Sequence, residues 1–241
     1  MMKDFLELPI FILAGGKGTR LASVVSDVPK PLAPVKGKPF LQYLLENYVN
    51  QGFRNFCFLL HHKSELIINC VENLRNNILE KCTIQYSVEP SLLGTGGSVA
   101  YTLQSLNISG EFVIVNADTW VDAESMNRIA SSIAPSIGVI HISDVSRYGR
   151  VTTNGELIMA FEEKKENAGQ GWINAGIYKL HSDIFTGKTG EFSMEKDVFP
   201  NLVKLGKLRA VPLDTEFIDI GIPEDYERFQ KWIASNKETG L

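Results

Sequence analysis

Five apolar residues, Ile10-Phe11-Ile12-Leu13-Ala14, run straight into Gly15-Gly16-Lys17-Gly18-Thr19-Arg20-Leu21, and Pro29-Lys30-Pro31 follows. An apolar run of that length, bounded by glycine, predicts a buried strand ending in a tight turn. Glycines let backbone N–H groups approach an anion closely, and successive N–H groups in a turn form an anion-binding nest. Arg20 and Lys30 add fixed positive charge beside it. A strand feeding a phosphate cradle points to an enzyme that handles a nucleoside triphosphate. Two common phosphate motifs are absent. The turn does not supply G-x-x-x-x-G-K-[ST], and no third glycine completes G-x-G-x-x-G.

Beyond this turn, helix-like and strand-like segments alternate. Phe40, Leu41, Leu44, Leu45 and Tyr48 recur at helical spacing, and Gly52 is placed to end that helix. Residues 54–60 read as a second buried strand. Ser64 is expected to cap a helix running to about residue 77, and 83–88 read as a third strand. Residues 94–97 form another glycine turn ahead of a helix to about residue 106, and 112–115 read as a fourth strand. This alternation implies parallel strands with crossover helices, hence an open α/β sheet. Ligands of such sheets bind at the carboxyl ends of the strands. The turn after Leu13 and Asp118, just after Val115, should therefore share one edge.

From Ser136 the texture changes. Residues 139–142, 150–153, 157–161 and 172–180 are strand candidates with few helices between them. Helices are expected at about 196–205 and 224–235, the last with Tyr226, Phe229, Trp232 and Ile233 on its inward stripe. The expected organisation is a single domain over residues 1–241. About 1–115, where strands and helices alternate, and about 116–241, richer in short strands, would form its two halves. No hexapeptide repeat follows, so no appended β-helix is expected.

Composition narrows the partners. The chain has 241 residues, 44% hydrophobic and 22% charged, with a net charge of −4. That balance argues against a broad nucleic-acid or membrane surface, so local basic residues must hold any anionic ligand. The three cysteines, Cys57, Cys70 and Cys82, lack metal-type spacing, and Cys57 reads as core. An odd count, and no apolar signal core after Met1-Met2-Lys3-Asp4, predict reduced thiols and a cytoplasmic location. His61 and His62 are strand neighbours pointing to opposite faces, a poor paired metal site.

G-G-x-G-T-R-L followed by K-P resembles the sugar-1-phosphate nucleotidylyltransferase family. The resemblance extends over nearly the whole chain, from Ile10 to about Phe229. It implies a Rossmann-like nucleotidyltransferase fold with an open, mostly parallel mixed sheet flanked by helices. It also implies attack by a sugar-1-phosphate oxygen on the α-phosphorus of a nucleoside triphosphate, with pyrophosphate leaving. Both reactants are anionic, so catalysis is mostly positioning and electrostatics. By the resemblance, Arg20, Lys30, Asp118 and Lys164 are the catalytic set. Leu13, Ala14, Gly15, Gly16, Gly18, Thr19 and Arg20 hold the nucleotide, together with Glu89, Gly94 and Thr95. Lys30, Gly149, Glu163, Lys164 and Asn174 face the sugar phosphate. Asp118 and Asp219 bind Mg²⁺, which prefers oxygen ligands and keeps several waters.

These assignments rest on local motifs. Asn116-Ala117-Asp118-Thr119 carries the first carboxylate, with Ala117 where the family usually has glycine. Phe161-Glu162-Glu163-Lys164-Lys165 carries the phosphate lysine, with Lys165 in place of a proline. Tyr148-Gly149-Arg150 and Asn174-Ala175-Gly176-Ile177-Tyr178 resemble the sugar segments, and Leu93-Gly94-Thr95-Gly96-Gly97 the turn beside base and sugar. A carboxylate at Glu89 can accept from the guanine N1–H and amino group, which favours GTP. Asp214, Glu216 and Asp225 read as solvated surface charge or helix-start residues.

Residues 192–200 and 217–226 are most similar to the heptose-1-phosphate guanylyltransferase branch, which uses D-glycero-α-D-manno-heptose 1-phosphate. The enzyme alternatives are mannose-1-phosphate guanylyltransferase, glucose-1-phosphate thymidylyl- or uridylyltransferase, and N-acetylmuramate-1-phosphate uridylyltransferase. A non-catalytic subunit that binds nucleotide-sugar is the reading from a different class. Retention of both the basic and the acidic residues argues against it. A homo-oligomer is left open.

Overall fold

The computed structural model describes residues 4–16, 18, 21, 24–25, 27–148, 150–162 and 169–238. In chain order, β1 (Ile10–Leu13) is followed by a small ribbon, β2 (Pro34–Val35) and β3 (Lys38–Pro39), and by α1 (Phe40–Asn50). Then come β4 (Asn55–Leu60), α2 (Ser64–Asn73), β5 (Thr83–Val88), α3 (Gly94–Ser105) and β6 (Glu111–Asn116). The second half holds β7 (Thr119–Trp120), α4 (Ala123–Ser131), β8 (Ser136–Ile142), β9 (Arg150–Asn154), β10 (Leu157–Glu162) and β11 (Gly171–His181). It closes with α5 (Phe199–Lys204), β12 (Arg209–Pro212), β13 (Ile218–Asp219) and α6 (Pro223–Glu238).

Nine strands form one sheet in the order β5-β4-β1-β6-β11-β8-β12-β10-β9. The β5-β4-β1-β6 block is wholly parallel, as the alternation predicts. Across the whole sheet β10 and β11 run against the other strands, so it is mixed but mostly of one direction. β11 joins the two halves. Its later residues pair with β6 on one edge and, at Tyr178 and Lys179, with β8 on the other; its first residues pair with β8 and touch β9 at Trp172 and Val151. The register slips between Asn174 and Tyr178, where Gly176 takes φ +71°. A β-branched or bulky residue is strained there, which is why glycine sits at this bulge.

Alternation along the strands splits the core in two. Ile10, Ile12, Phe56, Phe58, Val113 and Val115 face one cluster, packed by α1, α4 and α6. Phe11, Cys57, Leu59, Phe112 and Ile114 face the other, packed by α3 and α5. Cys57 is thus core, and burial pushes its thiol up to about 12. Each fully buried large side chain contributes roughly 1.5–3 kcal/mol.

Several boundaries differ from expectation. α2 ends at Asn73, and Ser64 is its first residue; Lys63, at φ 52°, takes the cap position. The expected helix at 196–205 is divided into a π-helical turn, Met194–Val198, and α5. Pro200 has no N–H to continue the ladder from the turn before it. α4 was not foreseen, although Asp122 caps it by accepting from the Ser125 N–H at 2.9 Å, ahead of Met126, Ile129 and Ala130. β2, β3, β7, β12 and β13 have two to four residues each, too few to show a period.

α6 anchors the second half onto the first. Phe229 is fully buried, edge-on to Phe40 with centroids 4.7 Å apart and near Trp120 at 5.6 Å. The Tyr226 hydroxyl donates to the Pro34 carbonyl. Phe229→Ala is expected to cost about 3–5 kcal/mol, read as a lower urea midpoint at unchanged slope. A loss below about 1 kcal/mol would show that this cluster does not anchor the helix.

Candidate active site

The strand ends position the site. Leu13 lies opposite Asn116 in the parallel β1–β6 register. The Ala14 N–H donates to the Leu59 carbonyl at 3.0 Å and the Ala117 N–H to the Leu13 carbonyl at 3.1 Å. The chain therefore leaves β1 and β6 side by side at their carboxyl edge. Gly15, Gly16, Glu89, Gly94, Thr95 and Asp118 line a cleft of about 290 Å³ there, together with Leu13 and Asn116. Past Gly16 and Asp118 the cleft continues into a recess lined by Ala14, Gly18 and Lys30. The described part of the expected nucleotide set is thus brought together. Thr19, Arg20, Gly149, Glu163 and Lys164 lie outside the described residues.

Lys30 begins a short 3-10 turn, Lys30–Leu32, and its Nζ lies 2.7 Å from Asp118 Oδ2. The two side chains are 11% and 28% exposed, so the pair is only partly screened by water. The Thr119 hydroxyl donates to Asp118 Oδ1 at 3.2 Å.

Asp219 reaches the same neighbourhood through a ribbon the sequence did not announce. β13 pairs antiparallel with β7, setting Asp219 opposite Thr119, and the Ile220 N–H donates to the Asp118 carbonyl at 2.9 Å. The Asp219 carboxylate accepts from the Gly221 N–H at 2.8 Å. The ribbon thus brings the backbones of Asp118 and Asp219 to neighbouring rungs, and their carboxylate oxygens are ligands of the type a hard divalent cation prefers. Among the described residues no three His, Cys, Asp or Glu side chains gather as a metal cage.

The second glycine turn serves protein packing first. The Gly96 and Gly97 N–H groups both donate to the Phe192 carbonyl, at 3.0 and 3.1 Å. A Cβ on Gly96 would overlap the Phe192 ring, and one on Gly97 the Gly190 carbonyl. Thr95 lines the cleft, but its hydroxyl donates to Glu195 Oε2 at 2.7 Å and accepts from the Met194 N–H at 2.9 Å. Ser193 donates to the same Glu195 oxygen. Glu195 was missed as a supporting residue; the signal was Ser193, which caps the following turn by accepting from the Lys196 N–H.

Glu89 is 5% exposed. Burial pushes its carboxyl above the ordinary range, opposed by the Leu93 N–H, which donates to Oε2 at 3.1 Å, and by His61. Asn174 uses its amide within the β11 bulge. Nδ2 donates to the Tyr178 hydroxyl at 3.0 Å and Oδ1 accepts from the Gly176 N–H at 2.9 Å. A Cβ at Gly176 would come within 2.5 Å of Asn116 Nδ2, so the bulge and the floor of the cleft are fitted to each other.

Of its two readings, Asp225 is the helix-start residue and not solvated surface charge. It lies in the first turn of α6, is 6% exposed, and its carboxylate meets Arg147 at 2.6 Å and Arg228 at 3.5 Å. Burial raises the Tyr148 phenol; the charges of Asp225 and Asp219 add to this, while Arg147 and Arg228 oppose it. The Tyr148 segment thus lies beside the segment carrying both aspartates.

A phosphate turn facing a lysine–aspartate pair at the carboxyl edge of a parallel block defines a nucleotide-handling α/β enzyme site. Residues 10–236 match the nucleotidyl transferase family, and the chain belongs to it. It is 38% identical over 221 residues to a D-glycero-alpha-D-manno-heptose 1-phosphate guanylyltransferase from Campylobacter jejuni, covering 90% of this chain and 96% of that relative. It is 35% identical over 226 residues to the enzyme of the same name from Aneurinibacillus thermoaerophilus, covering 91% and 96%. HddC from Yersinia pseudotuberculosis, solved as a complex with GMP-PN, superposes with a TM-score of 0.81 at 33% identity, covering 94% of this chain and 99% of HddC. The Rossmann-like nucleotidyltransferase fold is therefore as expected.

Thr95→Val is expected to destabilise the protein by about 1–3 kcal/mol, because the Met194 N–H and Glu195 each lose a partner. Urea unfolding measures it. Unchanged stability would show that the hydroxyl is not the link between α3 and the 193–195 segment.

Proposed function

We propose that this enzyme transfers GMP from GTP to D-glycero-α-D-manno-heptose 1-phosphate, giving the GDP-sugar and pyrophosphate. The observation that carries the reading is the Lys30–Asp118 pair set against the Gly15–Gly16 turn. A sugar-phosphate oxygen forms the new bond to the α-phosphorus. The bond from that phosphorus to the bridging α,β-oxygen breaks, and its electron pair leaves with pyrophosphate. Such a reaction depends on neutralising and aligning phosphates.

The roles follow from charge and position. The glycine turn accepts the triphosphate, with Leu13, Ala14, Gly18, Thr19 and Arg20 beside it. Lys30 exchanges Asp118 for a phosphate oxygen when the triphosphate enters, and this releases the carboxylate. Asp118 and Asp219 would hold Mg²⁺, which when bound screens the crowded phosphate charge. Lys164, with Glu163 beside it, takes the sugar phosphate. Gly149 and Asn174 are assigned to the sugar hydroxyls. Glu89, already held by the Leu93 N–H, faces the guanine edge beside Gly94 and Thr95. Residues 1–115 carry the nucleotide and 116–241 the sugar phosphate and metal. Three free cysteines suit a cytoplasmic site of action. No helix among the described residues is long and apolar enough to cross a membrane.

The test is pyrophosphate release from GTP, UTP, dTTP and CTP, each paired with heptose, mannose and glucose 1-phosphates. GTP with the manno-configured heptose should give the highest kcat/KM, and excess chelator should abolish turnover. Comparable efficiency with UTP or glucose 1-phosphate would refute the substrate assignment. Asp118→Asn should lower kcat/KM by at least about 100-fold, roughly 3 kcal/mol of transition-state stabilisation. Near-normal turnover in a folded Asp118→Asn enzyme would remove this residue from the mechanism. Lys30→Ala should lower turnover yet tighten Mg²⁺ binding measured by calorimetry without nucleotide, since Asp118 then lacks its internal cation. Weaker or unchanged Mg²⁺ binding would contradict the exchange.

A further inference from the structure

A cavity of about 480 Å³ lies away from the nucleotide cleft. It is lined on one side by Arg147 and Tyr148, from the segment between β8 and β9. On the other side are Phe217, Asp225 and Arg228, from the segment that carries β13 and begins α6. The two sides interleave there. Arg147 Nη2 donates to Asp225 Oδ2 at 2.6 Å, and its guanidinium lies 5.2 Å from the centroid of the Tyr148 ring. Tyr148 in turn packs edge-on against Phe217, with centroids 5.6 Å apart.

Arg228 also reaches Asp225, but its Nη2 is committed to the Glu216 carboxylate and the Phe217 carbonyl, both at 2.6 Å. An aspartate in the first turn of a helix is favoured by the helix dipole alone. The dipole does not call for a carboxylate side chain only 8% exposed, nor for an arginine 78 residues away in sequence. The Asp225 carboxylate is costly to leave unpaired because it is buried, whereas Arg147 is 46% exposed, so the pairing requirement lies on the aspartate side.

We propose that Asp225 is a positioning residue for the sugar 1-phosphate: through Arg147 it fixes the Tyr148 segment against the strand that presents Asp219. This rests on the function proposed above. Tyr148 is followed directly by Gly149, assigned to the sugar, and Asp219 lies two residues after Phe217. The ion pair therefore ties the sugar segment to the first turn of α6, six residues past Asp219, and the Tyr148–Phe217 contact ties it to the residue just before β13. None of these residues lines the nucleotide cleft. Arginine suits this place because its planar guanidinium offers several N–H donors in a fixed fork while lying over a ring, whereas an ammonium is a point charge.

The experiment is steady-state kinetics of the wild type, Asp225→Asn, Arg147→Ala and Arg147→Lys, with GTP affinity measured by calorimetry. Asp225→Asn and Arg147→Ala should each raise KM for the sugar 1-phosphate about 10-fold, with KM and affinity for GTP within about twofold of wild type. Arg147→Lys should fall between, restoring charge without the stacked fork. Arg147→Ala leaves Arg228 beside Asp225, so it keeps the test open where Asp225→Asn fails to fold. Equal rises in both KM values, or an unchanged sugar KM in Arg147→Ala, would overturn the positioning role while leaving transfer itself standing. A wild type inactive with every pairing of triphosphate and sugar phosphate would instead overturn the function and this role together.

Discussion

The seating of β1 between β4 and β6 is the constraint on which the molecule depends. Its register with both neighbours is continuous, and its side chains alternate between two cores. A strand buried on both faces and bonded on both edges cannot slip by one residue without turning Phe11 and Ile12 into the wrong clusters. Fixing that register also fixes where the chain leaves the sheet. Gly15 and Asp118 emerge at the same edge because Leu13 and Asn116 are paired. A phosphate turn and a carboxylate separated by about a hundred residues of sequence are thus set together by backbone geometry alone.

Electrostatics then decides how such a site can exist without its anionic substrates. Asp118 is half-buried, and an isolated carboxylate there would be poorly solvated. Lys30 neutralises it at 2.7 Å. Under the function proposed above the same lysine serves a phosphate, and the pair is then a stored charge arrangement rather than a permanent bond. An incoming triphosphate offers Lys30 a stronger, multiply charged partner, and the carboxylate it leaves is then open to a cation. The unfavourable meeting of two phosphorylated reactants is offset by charges that were already desolvated and held in place.

The sequence was most legible where periodicity is long. The longer strands and the helices up to Asn116 follow from apolar runs and glycine punctuation, and each expected one forms, whereas the short β2–β3 ribbon was not expected. What escaped was short or depended on distant partners. β7 and β13 have two residues each, yet they carry Asp219 to the neighbourhood of Asp118. The turn at Gly94–Gly97 was recognised, but not the reason for two of its glycines, which is the Phe192 segment lying across them. Asp225 reads as surface charge in isolation, because nothing local announces that Arg147 will cover it. The part of the site carried by residues 163–164 and 149 rests on the motifs alone.

β11 shows how the two parts of the sheet are joined. One end of the strand is bonded to β6, and so belongs to the rigid block behind the phosphate turn. β9 meets the beginning of the strand at Trp172, and β8 is bonded to both ends, at Gly171–Asn174 and again at Tyr178–Lys179. The bulge at Gly176 lies between them, braced by Asn174 and fitted against Asn116. The slip in register lets β8 pair with β11 on both sides of the bulge. The turn after β1 stays where the parallel strands put it, and the segments of the second half are placed by longer-range contacts. Those contacts are the ones a linear reading of the chain is least able to see.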